Sequence, residues 1–137
     1  MEEGWCKVLE NGKLQNTIKL SPLAKTWILD LDGTILKHNG YKTGEDSFLD
    51  GAEQFLKKIP ENDMVVFITS RTSSEKELTE NFLRKNNIRY NTIIYNAPYG
   101  ERILINDAKP SGLKTALAYT TKRDEFCKIL FEIDNTK

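Results

Sequence analysis

Two short apolar runs, residues 27–31 and 64–69, are rich in β-formers and show no polar alternation, the pattern of strands covered on both faces. Strands of that kind belong to a parallel sheet. Between them Ala52, Phe55, Leu56 and Ile59 recur at helical spacing behind Asp50 and Glu53, which are placed as a helix cap and its capping-box partner, and Pro60 stops the helix. The pattern predicts a βαβ unit. Ser74 with Glu77 repeats the capping box, Leu78, Phe82 and Leu83 give a second crossover helix its apolar face, and Asn86 and Asn87 end it. Residues 90–95 and 102–105 read as the third and fourth strands, joined by a turn region at Pro98 and Gly100, and 115–119 reads as a fifth. Thr121 then caps a closing helix, with Asp124 in its first turn and Phe126, Ile129, Leu130 and Ile133 along its core side.

This alternation predicts an α/β fold with a central, mainly parallel sheet. A chain of 137 residues supports one such core, so residues 26–137 are expected to form a single domain. Residues 1–25 read as an N-terminal arm with a hairpin signal at Asn11-Gly12, between residues 5–9 and 14–18. Residues 36–49, directly after the first strand, are left without an element.

Twenty basic residues are matched by twenty acidic ones and scattered, which disfavours nucleic acid and membrane surfaces as partners. The sequence shows no secretion signal and no apolar stretch near the roughly 20 residues that span a bilayer, so a cytoplasmic location is expected. Cys6 and Cys127 lack CxxC spacing and read as reduced bystanders.

The chemistry concentrates at strand ends. The first strand ends in Asp30-Leu31-Asp32-Gly33-Thr34, and alternate side chains of an extended backbone share a face, so both carboxylates point to one side of the sheet's carboxyl edge. Ligands bind at that edge in open α/β sheets. Two acids this close repel, which a divalent cation and a retained proton relieve. An Asp-Gly turn alone does not explain the second acid. An EF-hand loop is excluded because its sixth and twelfth positions are Ile35 and Tyr41 rather than Gly and Glu. The second strand ends in Thr69-Ser70-Arg71 before a helix, where hydroxyls and free N–H groups suit a phosphoryl oxygen, although Thr and Ser also serve there as caps. The fourth strand ends in Asn106-Asp107, and an acid at that edge is what magnesium requires.

Taken in order, DxDGT, an apolar strand ending in Thr69 and an apolar strand ending in Asn106-Asp107 resemble the haloacid dehalogenase superfamily over residues 26–119. The resemblance implies a three-layer Rossmann-like domain and a magnesium-dependent phosphomonoester hydrolase. Asp30 would attack phosphorus and Asp32 would protonate the leaving oxygen and later activate water. Magnesium would be held by Asp30, by Asp32 through its carbonyl, and by Asp107. Gly33, Thr34, Thr69 and Ser70 would surround the phosphate. The third-motif cation would be Arg102 or, second, Lys109, and a solvated surface charge is the competing reading of either. Ser111 stands where many relatives carry a further acid. Arg71 reads either as a clamp for a substrate anion or as an exposed arginine at a helix entry, and His38 has no part in the mechanism.

Residues 36–49 leave room for a small flap and no large cap domain, so the site is expected to be open. Open members of the superfamily either act on large substrates or borrow a neighbouring subunit of a homo-oligomer as lid. The stretch at residues 106–112 looks like small superfamily members from surface-polysaccharide gene sets, which points to a small phosphorylated metabolite such as a sugar phosphate. The rivals are a phosphotransferase or mutase using the same aspartyl-phosphate, and a non-catalytic binding or regulatory module on the same fold.

Overall fold

The first crossover of the chain behaves as its pattern predicts. In the computed structural model, which describes residues 9–10, 13–14, 17–126 and 129–137, strands β1 (Leu9–Glu10), β2 (Lys13–Leu14) and β3 (Thr17–Leu20) precede β4 (Thr26–Leu29). Short helix α1 (Gly40–Thr43) and helix α2 (Ala52–Lys58) lead to β5 (Met64–Ile68). A 3₁₀ turn (Ser73–Glu75) runs into α3 (Lys76–Lys85), followed by β6 (Thr92–Ile94), β7 (Tyr119–Thr120) and β8 (Leu130–Ile133). Strands β4, β5 and β6 form a parallel sheet in that order, with Trp27 opposite Val65 and Phe67 opposite Ile93. The result is a small α/β domain.

Helix α2 buries Ala52, Phe55 and Leu56, and Phe55 meets Trp27 of β4 edge-on at 5.4 Å. Its entry residue is Gly51, at φ 86, where a side-chain cap from Asp50 was expected. Pro60 follows the helix as predicted, because proline cannot continue it. The second capping box is formed by Thr72 and Glu75 rather than by Ser74 and Glu77. The 3₁₀ turn starts the helical stretch earlier and so moves the orphan N–H groups toward Thr72. On α3 the buried positions are Thr79 and Leu83, four residues apart, while Leu78 is exposed.

At the N-terminal end β1 pairs antiparallel with β2, Leu9 opposite Leu14, and the Asn11-Gly12 turn itself lies outside the described residues, as do Cys6 and Cys127. Strand β1 also pairs with β7, and β3 pairs parallel with β8, so the arm shares ladders with the end of the chain.

The second half departs from expectation. Residues 102–105 form no strand, and Ile103, Leu104 and Ile105 are 82, 52 and 89% exposed. Of residues 115–119 only Tyr119 enters a strand, β7. Among the described residues the expected closing helix is absent. Phe126 and Ile129 are buried as predicted, but Leu130 and Ile133 belong to β8 and are exposed. A three-residue apolar run, Ile103 to Ile105, flanked by Pro98, Gly100, Pro110 and Gly112 has strand propensity but no ladder partner, and propensity without pairing does not make a strand. The consequence reaches β4. Its two-face burial was also expected, yet Thr26 and Ile28 are exposed, with Trp27 and Leu29 half-buried. Among the described residues no helix is long and apolar enough to cross a membrane.

Candidate functional site

The loop after β4 owes its shape to three leucine and isoleucine side chains. Leu31, Ile35 and Leu36 are fully buried. The Leu31 carbonyl accepts from the N–H groups of Thr34, Ile35 and Leu36 at 3.2, 2.9 and 2.9 Å, and Gly33 donates to the Leu36 carbonyl at 2.7 Å. Gly33 turns the chain at φ 84, a left-handed conformation that side chains rarely adopt, and a Cβ there would meet Arg123 Cγ at 3.2 Å. With its apolar residues pulled inward, the loop leaves Asp30 and Asp32 partly open, at 34 and 18% side-chain exposure. Asp124 seals the loop from outside: its N–H donates to the Gly33 carbonyl at 2.8 Å and its carboxylate accepts from the His38 N–H at 2.7 Å.

Asp30 stands just past the carboxyl end of β4. Its Oδ2 accepts from Thr34 Oγ1 at 3.0 Å and its Oδ1 from Arg102 Nη1 at 2.9 Å. Arg102 also donates to the Ile68 carbonyl at the end of β5, 3.1 Å away. The structure thus brings Asp30, Thr34 and Arg102 together. A cavity of about 560 Å³ opens here, lined by Ile28, Asp30, Thr34, Ile68, Arg102 and Leu104 among others. That volume lies within the usual range for small-molecule sites.

Thr69 is buried at the end of β5, and its Oγ1 accepts the Arg71 N–H at 3.0 Å; Ser70 is half-buried beside it. Lys109 is exposed in a turn, its N–H donating to the Leu113 carbonyl at 3.0 Å, and the structure shows no hydrogen bond from it to the Asp30 group.

Arg71 corrects a sequence expectation. It is not a free clamp for a substrate anion, since its side chain is 1% exposed and bonded throughout. Nε and Nη2 donate to Asp32 at 2.9 and 2.8 Å, Nη1 and Nη2 to Asp46 at 3.0 and 2.7 Å, and Nη1 to Thr79 Oγ1 at 2.8 Å. The Tyr41 ring lies 4.3 Å from the guanidinium carbon. Burial by itself lowers an arginine pKa, but the bonds to Asp32 and Asp46 outweigh it and raise this one above its ordinary value. Tyr41 is also raised, first by burial and then by Glu75 and Asp32, so its phenol stays neutral. Asp46, Tyr41 and Thr79 were missed in the sequence because a lone acid in an unassigned stretch and a threonine on a helix carry no motif. The one usable signal was Thr79 four residues before Leu83.

Asp107 also departs from expectation. It is exposed on the strandless segment, its carbonyl accepting from Thr115 Oγ1. Among the described residues no three Asp, Glu, His or Cys side chains gather as a metal site. The carboxylate oxygens of Asp30 and Asp32 are engaged by Thr34, Arg102 and Arg71. The strand expected to carry Asp107 to the sheet edge does not form, and among the described residues Asp107 is not gathered with Asp30 and Asp32 into a cluster of three carboxylates. Compared with protein-family models, with curated proteins and with solved structures, the chain matches none.

Proposed function

We propose that this protein is a phosphomonoester hydrolase of the haloacid dehalogenase type, acting through an aspartyl-phosphate on Asp30. The observation that carries the proposal is the placement of Asp30 at the carboxyl edge of parallel strands, where it lines a cavity, with Thr34 and Arg102 bonded to its two oxygens. A carboxylate so held is an oriented nucleophile, and Arg102 is positioned to bind the phosphoryl oxygens that arrive beside it.

In this reading Asp30 forms a bond to phosphorus as the bond to the ester oxygen breaks, and Asp32 supplies the proton that the leaving oxygen takes. Water then attacks the phosphorus, Asp32 receives its proton, and the bond to Asp30 breaks to release inorganic phosphate. Arg71 occupies one acceptor direction on each Asp32 oxygen, and each oxygen retains a second. Magnesium enters the proposal through the resemblance alone, and no step is assigned to it. A small phosphorylated metabolite such as a sugar phosphate fits the size of the cavity.

A non-catalytic binding module is the second reading, favoured by the separation of Asp107 from the other acids. One experiment separates the two. Turnover of 4-nitrophenyl phosphate, measured with magnesium present, is expected for the wild type, and Asp30→Asn is expected to reduce it on the order of a thousandfold or more while the circular dichroism spectrum is kept. A wild type with no turnover, or an Asp30→Asn variant as active as wild type, removes the phosphatase.

A further inference from the structure

Arg71 is bonded on every side, and its partners come from different parts of the chain. Asp32 lies in the loop after β4, Tyr41 on α1, Asp46 after α1 and Thr79 on α3. The Arg71 and Asp46 side chains are each 1% exposed, so this ion pair lies beneath the surface that a substrate would touch. A guanidinium fork bonded to both oxygens of a carboxylate fixes the plane of that carboxylate, which a single ammonium does not. Asp46 and Thr79 fix the fork in turn, and the aromatic face of Tyr41 closes one side of it.

We infer that Arg71 and Asp46 are positioning residues that fix the plane of the Asp32 carboxyl in the loop that also carries Asp30, and fasten the flap of residues 36–49 to that loop. The inference rests on the phosphatase reading and deepens it. Neither residue touches substrate. Their effect passes through Asp32, which gives a proton to the leaving oxygen in the first half-reaction and takes one from water in the second.

That route predicts a dependence on the leaving group that loss of structure does not produce. Phenolate departs poorly from phosphorus without a proton, whereas 2,4-dinitrophenolate departs unaided. The ratio kcat/KM reports the steps up to departure. Asp46→Asn is therefore expected to lower kcat/KM for phenyl phosphate by about 10- to 100-fold, a part of what a general acid supplies. For 2,4-dinitrophenyl phosphate kcat/KM should stay near the wild-type value, while the second half-reaction slows and phosphorylated Asp30 accumulates after acid quench.

Thr79→Val removes only one acceptor of the fork and should give the same split with smaller amplitude, which keeps the test open if Asp46→Asn does not fold. An equal loss on both esters, or no loss on either, in the variants that fold overturns the positioning role. A wild type that turns over neither ester and forms no phosphorylated Asp30 overturns the phosphatase reading itself. A wild type that does both, with variants losing evenly, overturns the positioning role alone.

Discussion

The stretches that follow β4 and β6 each contain apolar residues, acids and a glycine, and one is built into the molecule while the other stays outside it. After β4, Leu31, Ile35 and Leu36 are fully buried, and Arg71 ties Asp32 and Asp46 together beneath the surface. After β6, Ile103 and Ile105 are more than four-fifths exposed, and Asn106 Nδ2 and Lys109 N bond within the segment, to Thr115 and Leu113 carbonyls. The difference teaches that apolar content does not decide burial. A tight turn that satisfies its own N–H groups can fold inward, whereas a strand needs a neighbour's ladder before its backbone can leave water. The two regions meet at Asp30, which Thr34 holds from the first and Arg102 from the second.

The sharpest way to break this contrast is to remove divalent metal. If magnesium serves the proposed reaction, thorough chelation abolishes aryl phosphate turnover, and restored magnesium slows amide hydrogen exchange at residues 102–107 while residues 31–36 stay as protected as before. Full activity after chelation would take magnesium out of the proposal. A fully exchanging 102–107 segment in saturating magnesium would leave Asp107 without a part.

Next in size is the difference between the two arginines. Arg71→Leu strands two carboxylates, one of them fully buried, and is expected to cost about 3–5 kcal/mol of stability by urea unfolding. Arg102→Ala breaks a pair that is a third exposed on both sides and is expected to cost within about 1 kcal/mol. It should nevertheless slow turnover, because Arg102 is bonded to Asp30, the proposed nucleophile. Similar stability losses in the two variants would erase the distinction between the regions.

Smallest is the effect of Ile105→Ser, which is expected to change stability by no more than about 0.5 kcal/mol because the side chain is 89% exposed. A loss of several kcal/mol would place Ile105 in a packed strand after all.

Much of the first half was legible in the sequence because its signals are local. Ala52, Phe55, Leu56 and Ile59 with Pro60 mark a helix whatever surrounds them, and residues 64–69 mark a strand between two crossovers. Gly33 after Asp32 marks a tight turn. The second half was misread where one local signal had two outcomes. Residues 102–105 satisfy strand propensity, and Phe126, Ile129, Leu130 and Ile133 satisfy helical spacing, but the first found no ladder and the last two of the second paired with β3.

The candidate site divides in the same way. Asp30, Asp32 and Thr34 stand within five residues of one another, so residue order alone set them on one loop. Arg102 was named from its motif position, yet its bond to Asp30 depends on the fold. The sequence neighbours of Arg71 are hydroxyls, while its ionic partners lie 39 and 25 positions away, so its bonding is not legible locally.

What the chain's order determined by itself was the element pattern of its first half and the cluster of acids after β4, since hydrogen bonds and side-chain periodicity there span only a few residues. Tertiary structure alone decided which charges neutralise one another, which apolar runs reach the core and which strand edges are paired. Those outcomes depend on distant segments competing for the same buried space, and a competition between segments far apart in the chain is not written in either one.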